Sequence, residues 1–308
     1  MKLIIQIPCY NEEKTLAKTI SDLPKKIEGI DTIEIVVIDD GSNDKTSIVS
    51  SELGVNYVVS LNRNKGLATA FQCGIDKCLE QGADIIVNTD GDNQYKAKYI
   101  KELIKPILDK KADIVIGDRQ VMKNRNMNLT KKIFQKLGSL VVSRLARSKI
   151  PDVTSGFRAY SRDAALNINV NSEYSYSLET LIDSGIRKEK IISIPIETNP
   201  KTRESRLFKN NIYYIKKSTS TIIRSFLYNK PLGAIFTSSL VFFGLVIIML
   251  SLYLRNESIN FLILALLFFI TGTQLVIFSF IADSIANNKK TNDKILYRIK
   301  KNDYKKNN

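Results

Sequence analysis

Ile33-Glu34-Ile35-Val36-Val37-Ile38, followed at once by Asp39-Asp40-Gly41-Ser42, is the stretch on which the fold turns. A short, nearly continuous β-branched run predicts a strand buried on both faces, and the polar cluster behind it predicts a turn. Upstream, Leu3-Ile4-Ile5-Gln6-Ile7 is a second such run, closed by Pro8. Downstream come Tyr57-Val58-Val59, Asp84-Ile85-Ile86-Val87-Asn88 and Ile114-Val115-Ile116-Gly117. Helical periodicity fills the gaps between them. One helix opens at Asn11-Glu12-Glu13 and runs through Ile20 and Leu23. A second starts near Lys45 with Ser42 or Asn43 as its cap. Two more cover Gly66 to Leu79 and Tyr99 to Leu108. Strands alternating with helices predict an α/β fold: a mostly parallel, Rossmann-like sheet with helices on both faces. In such sheets ligands bind beyond the carboxyl ends of the strands.

Polar clusters fall at those ends: Pro8-Cys9-Tyr10-Asn11-Glu12, Asp39-Asp40-Gly41-Ser42, Asp90-Gly91-Asp92 and Asp118-Arg119. Asp39-Asp40 suits hydrogen bonds from a base or ribose. Asp90 and Asp92, separated only by Gly91, leave room for a divalent ion and a diphosphate, with Gln94 as a further oxygen donor. Mg²⁺ and Mn²⁺ favour such oxygen ligands and bind through one or two carboxylates plus substrate phosphates. The first strand is not followed by G-x-G-x-x-G, and no G-x-x-x-x-G-K-[ST] occurs, so neither a dinucleotide redox site nor a P-loop is supported. The 308 residues include no histidine and no tryptophan. Nucleophile systems that need histidine and His-ligated zinc are therefore excluded. Cys9, Cys73 and Cys78 form no C-x-x-C pair and read as small buried hydrophobes.

The net charge of +15 is unevenly spread. Residues 1–200 carry a net +3, residues 201–230 a net +7, residues 231–286 a net −1 and the tail from Asn287 a net +6. The cations thus flank a single apolar region. Within it, Leu232 to Leu254 has no charge, and Phe261 to Ala282 repeats the pattern. Each run is long enough to cross a hydrocarbon layer of roughly 30 Å. Arg255-Asn256-Glu257-Ser258 permits a hairpin between them, and the Lys/Arg excess on the outer ends places that side in the cytoplasm. Residues 206–230 interleave Leu207, Phe208, Ile212, Tyr213 and Phe226 with Lys209, Lys216, Lys217 and Arg224, a pattern suited to helices lying on an anionic bilayer. Nucleic acid is not an expected partner, because the globular part is nearly neutral.

Taken together, Ile7-Pro8-Cys9-Tyr10-Asn11-Glu12-Glu13, Val37 to Thr46, Asn62 to Ala70 and Asp90-Gly91-Asp92-Asn93-Gln94 resemble family 2 inverting glycosyltransferases of the GT-A fold. Ile116-Gly117-Asp118-Arg119, Asp152 to Tyr160, Glu179 and Arg203 to Leu207 narrow the resemblance to the branch of dolichol-phosphate mannose synthases and polyprenyl-phosphate glucosyltransferases. The resemblance implies that Pro8, Tyr10, Glu12, Ile38 and Asp40 hold the nucleoside. It also implies that Asp90, Gly91 and Asp92 meet the diphosphate, and that Asp90, Asp92 and Gln94 form the metal site. Arg119 and Arg203 would meet phosphates, Lys131 the acceptor phosphate, and Asp152 is a base candidate in such enzymes. Asp92, Asp152 and Arg119 are then the expected catalytic residues. Arg158 is open between a phosphate contact and a partner of Glu179, and Asp118 is expected to orient a neighbouring arginine. Mg²⁺ or Mn²⁺, a nucleotide-sugar donor, a polyprenyl phosphate acceptor and the bilayer are the expected cofactor and partners. Small residues in the two spans could also pack against a second copy.

The expected organisation is a cytoplasmic transferase domain over residues 1–205 and juxtamembrane helices over 206–230. Two spans follow within 231–283, then a basic tail over 284–308. The expected reaction moves one hexose from a UDP- or GDP-linked donor to dolichyl or undecaprenyl phosphate. A processive polysaccharide synthase is the first competitor, but its Q-x-x-R-W motif cannot exist without tryptophan. A membrane-anchored scaffold without activity is the second, and the intact acidic motifs argue against it.

Overall fold

A computed structural model describes residues 1–121, 129–170, 176–200 and 231–305. The juxtamembrane stretch 206–230 and Arg203 lie outside the described residues. What is described forms two compact units, one of residues 1–200 with 297–305 and one of residues 231–296.

The first unit is built on a seven-stranded sheet. Its strands are β1 (Lys2–Cys9), β2 (Thr32–Asp39), β3 (Tyr57–Ser60), β4 (Ile85–Asn88), β5 (Ile114–Asp118), β6 (Arg158–Ser161) and β7 (Ile191–Pro195). The order across the sheet is β3-β2-β1-β4-β6-β5-β7. Every pairing is parallel except those of β6, which runs antiparallel between β4 and β5. The helices are α1 (Leu16–Ser21), α2 (Thr46–Glu52), α3 (Leu67–Glu80), α4 (Ile100–Leu108), α5 (Leu129–Leu145), α6 (Arg162–Leu166) and α7 (Tyr176–Ile186).

Side chains alternate across the central strands and give each sheet face its own core. Ile4, Val36, Ile38, Ile86, Ile114 and Tyr160 pack with α3, α6 and α7 on one side. Leu3, Ile5, Ile7, Val37, Ile85, Val87 and Val115 pack with α1 and α4 on the other. Burial on both faces explains why these strands read as continuous apolar runs. The fit of α3 is close: a Cβ on its Gly74 would stand 2.3 Å from Gln6 Oε1 and 2.7 Å from Ile38 Cδ1.

The five strands expected from the sequence all form, and β6 and β7 complete the sheet. The first helix starts later than its sequence pattern implies. Asn11 adopts a left-handed φ of 57°, donates its amide to Ser42 Oγ at 2.8 Å, and accepts the Asn43 amide on Oδ1 at 2.8 Å. These bonds hold the chain against the turn after β2, so α1 begins at Leu16. Because Ser42 is engaged there, the start of α2 is served by Asp44, whose Oδ1 accepts the Thr46 amide at 3.0 Å.

In the second unit, α8 (Pro231–Asn256) and α9 (Ile259–Asp303) are joined by Glu257-Ser258. Phe242 faces Phe268 and Phe243 faces Phe269, each pair with ring centroids 6.0 Å apart. Phe243 also meets Gly272, and these two positions stand 14 residues before Glu257 and 14 after Ser258, which makes the pair an antiparallel hairpin. Gly272 admits the Phe243 ring, which would lie 3.2 Å from a Cβ there. Both helices are long and apolar enough to cross a membrane, and their apolar side chains turn outward, Ile247 70% and Leu254 80% exposed. The helix does not stop near Ala282. With neither Gly nor Pro to break it, α9 continues to Asp303, and its last turns belong to the first unit. There Lys300 Nζ pairs with Asp76 Oδ1 at 2.8 Å and donates to the Ile168 carbonyl at 3.0 Å.

Candidate active site

The parallel strands bring four polar clusters to one edge of the sheet, and β6 delivers a fifth. Because β6 is antiparallel, its first residue, Arg158, lies beside Asn88, the last residue of β4. The loop 152–157 that feeds β6 therefore meets the loop 89–94 that leaves β4. This was not visible in the sequence: four residues, one of them a fully buried arginine, carry no readable strand period.

On the β1–β2 side, Cys9 ends β1, and its carbonyl accepts the Asp40 amide at 2.9 Å. Asp40 is 3% exposed and uses both carboxylate oxygens on backbone amides, Oδ1 from Lys65 at 2.8 Å and Oδ2 from Gly66 at 2.9 Å. Burial pushes its carboxyl above the ordinary aspartate value, and the two amide donors oppose that shift. Asp40 thus clamps the Asn62–Gly66 loop. Gly41 is the other half of the clamp: with φ at 65°, a Cβ would stand 2.4 Å from the Arg63 carbonyl carbon. Pro8 is buried within β1, Tyr10 is half-buried just past it, and Ile38 is fully buried in the core under α3. The Ile38 side chain is spent on packing, which leaves only its backbone to meet a ligand at this position.

Glu12, 5% exposed, accepts the Thr15 hydroxyl on Oε2 at 2.7 Å and donates its amide to Thr46 Oγ1 at 2.8 Å. It also lies against the acidic loop after β4. A Cβ on Gly91 would stand 2.8 Å from Cys9 Sγ and 3.3 Å from Glu12 Cγ, and Thr19 Oγ1 donates to the Gly91 carbonyl at 3.0 Å. Glycine between the two acids lets the loop reach β1. The Cys9 thiol is held well above its ordinary pKa by burial and by the negative charges of Glu12, Asp39 and Asp90, so it is protonated and no nucleophile.

Asp90 and Asp92 are both half-buried. Asp92 Oδ1 accepts the Gln94 amide at 3.1 Å, and the Gln94 carbonyl accepts the Asn199 amide at 2.9 Å. A Cβ on Gly156 would lie 3.0 Å from Asp90 Oδ1, so the two loops touch there. Tyr95 ties them further, accepting the Gly156 amide on its hydroxyl at 3.0 Å, and burial pushes its pKa up to about 12.

On the β5 side, Arg119 and Asp152 form a bidentate pair, Nε to Oδ2 at 2.7 Å and Nη2 to Oδ1 at 3.0 Å. Asp152 is fully buried and also accepts Gln135 Nε2 at 3.1 Å and Thr154 Oγ1 at 3.0 Å. Burial alone would raise its pKa, but the Arg119 charge and these donors hold the carboxyl below the usual range. A buried, saturated, low-pKa carboxylate is a poor proton acceptor. Its geometry is that of an arginine partner, and it orients Arg119. Asp118 Oδ1 takes the Gln120 amide at 2.8 Å. Arg158, which the sequence left open between a phosphate contact and a partnership with Glu179, is engaged inside the domain. Fully buried, it donates to the carbonyls of Val153 (2.8 Å), Ser155 (2.8 Å) and Ser177 (3.0 Å), and so shapes the 152–157 loop instead of facing a phosphate. Lys131 lies on α5, but its side chain, like Arg203, is outside the described residues.

Gln135, Thr154, Tyr95 and Asn88 complete the site and were not singled out from sequence. Among the described residues, no group of three or more acidic or cysteine side chains forms a closed metal cage. The donor set that is present, two half-buried carboxylates on one loop, fits a hard divalent ion that completes its shell with substrate oxygens.

An acid pair and an arginine–aspartate pair thus stand at the carboxyl edge of a mostly parallel α/β sheet. The profile described as Glycosyl transferase family 2 matches residues 4–168, more than half of the chain, and the chain belongs to that family. It is 32% identical over 218 residues to the UDP-N-acetylglucosamine–dolichyl-phosphate N-acetylglucosaminyltransferase of Methanococcus voltae, covering 62% of this chain and 83% of that one. It is 31% identical over 223 residues to the dolichol-phosphate mannosyltransferase of Pyrococcus furiosus, covering 69% of this chain and 61% of that one. Among solved structures, glucosyl-3-phosphoglycerate synthase from Mycobacterium tuberculosis, crystallised with Mn²⁺, uridine diphosphate and phosphoglyceric acid, shares the fold. Its TM-score is 0.56 at 19% identity, over 73% of this chain and 77% of that one. The protein is a glycosyltransferase with a GT-A-like sheet and two long apolar C-terminal helices.

Proposed function

We propose that this glycosyltransferase moves a single hexose, with inversion, from a nucleoside diphosphate sugar onto a polyprenyl monophosphate at a membrane surface. The observation that carries the proposal is the junction of the Asp90-Gly91-Asp92 loop with the loop bearing Asp152, which puts an acid pair and an oriented arginine at one edge of the sheet.

In this proposal the nucleoside lies over the β1–β2 ends, near Pro8, Tyr10, Glu12 and the Asp40-clamped loop. Asp90 and Asp92, with Gln94, would hold Mg²⁺ or Mn²⁺. When bound, the ion neutralises charge on the departing diphosphate. Arg119 presents the edge of its guanidinium that Asp152 and Thr154 leave over, and a guanidinium suits phosphate because it can contact two oxygens at once. Its charge is fixed in place before reaction, so it stabilises developing negative charge without reorganising. The acceptor needs little activation: a phosphate monoester has a second pKa near 6 and is mostly dianionic at neutral pH. Its oxygen attacks the anomeric carbon from the face opposite the diphosphate, the bond to that diphosphate breaks, and the configuration inverts. No side-chain base is required, in keeping with the low pKa of Asp152.

The relatives support a lipid-phosphate acceptor, since both carry dolichyl phosphate in their names, while their sugars differ. The outward-facing apolar hairpin supports membrane attachment, and the cationic flanks of the sequence support a cytoplasmic side for the transferase unit and both outer helix ends. The test is a screen of labelled UDP- and GDP-sugars against dolichyl and undecaprenyl phosphate with purified enzyme. The expected product is one sugar per lipid; a polymer, or no glycolipid from any donor, contradicts the proposal.

A further inference from the structure

We propose that Gln135, on α5, is a positioning residue that sets the Arg119 guanidinium through Asp152 and Thr154. The inference rests on the phosphate role given to Arg119 above.

Three short bonds converge on Thr154 Oγ1. It accepts Arg119 Nη2 at 2.8 Å and Gln135 Nε2 at 2.7 Å, and it donates to Asp152 Oδ1 at 3.0 Å. A hydroxyl offers two lone pairs and one proton, so all of its capacity is used. Gln135 Nε2 also donates to Asp152 Oδ1 at 3.1 Å, which uses both of its amide protons. An ionised carboxylate only accepts, which fixes the amide with its nitrogen toward Asp152. The donor count therefore closes with an amide at 135. A glutamate would set carboxylate against carboxylate, and an apolar side chain would remove two donors.

Gln135 is the one member of this cluster carried by a helix. The others sit on loops at the ends of β5 and before β6, so the amide ties those loops to α5. The far end of α5 is held firmly. Gly185 of α7 lies so close that a Cβ there would stand 2.2 Å from the Ala146 carbonyl, and Ser143 Oγ exchanges hydrogen bonds with Ile150, donating to its carbonyl and accepting its amide, both at 3.0 Å. Gln135 therefore transmits the seating of α5 to the charge that faces the substrate.

The test compares steady-state sugar transfer by the full-length Gln135→Leu, Gln135→Glu and Arg119→Lys enzymes. A misplacement of about 1 Å can cost on the order of a hundredfold in rate. Q135L is expected to lower kcat about tenfold and Q135E, despite matching the native shape, about 100-fold, with donor KM within about threefold for both. That order, isostere worse than apolar, marks loss of donation; a purely packing role reverses it. Should Q135L fail to fold, Q135E against wild type is read alone. Near-native kcat in Q135E or Q135L beside a crippled R119K overturns the inference, as does Q135E outperforming Q135L. Near-native transfer by R119K instead overturns the phosphate role of Arg119.

Discussion

Asn88, the last residue of β4, donates its side-chain amide to the carbonyl of Gly156 at 2.7 Å, across 68 residues of sequence. Its Oδ1 accepts Gln6 Nε2 at 2.9 Å, so one buried amide links β1, β4 and the loop before β6. The acid pair begins two residues beyond Asn88, and Gly156 is where its first member is touched.

Asn88→Ala would leave the Gln6 amide and the Gly156 carbonyl without partners in a dry interior. Each unsatisfied buried group costs about 1–3 kcal/mol, so the variant should lose about 3 kcal/mol. Denaturant melts in detergent would check this. A loss under about 0.5 kcal/mol would show that the bridge is not structural.

Gly156→Ala tests the fit of the two loops. The added methyl would lie 3.0 Å from both Asp90 Oδ1 and the Tyr176 hydroxyl. Transfer should fall at least about tenfold while far-UV circular dichroism is unchanged, because a small displacement of a charged group is enough to lose alignment. Full activity would mean that Asp90 can shift without consequence.

The five N-terminal strands and four of the five site clusters were legible because buried parallel strands announce themselves as β-branched runs and their ends as polar turns. β6 and β7 were not. Arg158-Ala159-Tyr160-Ser161 is too short for a period and owes its strand to its two neighbours, and Ile191-Ile192-Ser193-Ile194-Pro195 pairs only at the sheet edge. Missing β6 hid the meeting of Asp90 with Gly156. Arg119 and Asp152 were each picked out from sequence, but a pairing across 33 residues leaves no periodic trace. Gln135 sits in no motif at all and became visible only through its two bonds.

The Asp152 carboxyl makes the acid limb of stability specific. Its folded pKa lies below the unfolded value, so its contribution is full above about pH 4 and is lost as pH falls through the folded pKa. Asp152→Asn should cost about 3 kcal/mol at pH 7, where it breaks a largely buried ion pair, and progressively less below pH 4. Thermal melts of both proteins from pH 7 to pH 3 would show the gap closing; a gap independent of pH would mean that Asp152 is not ionised in the folded state.

Charge reversal at Lys209, Lys216 and Lys217 should weaken association with anionic vesicles more than donor binding. Each cation near such a surface is worth about 1 kcal/mol, and the effect should fade as salt is raised. Flotation with and without anionic lipid, paired with calorimetric donor titration, separates the two. Equal losses in both would point to misfolding.

The most direct test of the central claim is transfer of labelled sugar to polyprenyl phosphate by wild-type enzyme and by Asp92→Ala, each assayed with Mg²⁺ or Mn²⁺ and with chelator. The acid pair predicts glycolipid from the wild type only when the cation is present, and none above background from a folded, membrane-bound Asp92→Ala. Undiminished transfer by that variant would contradict it.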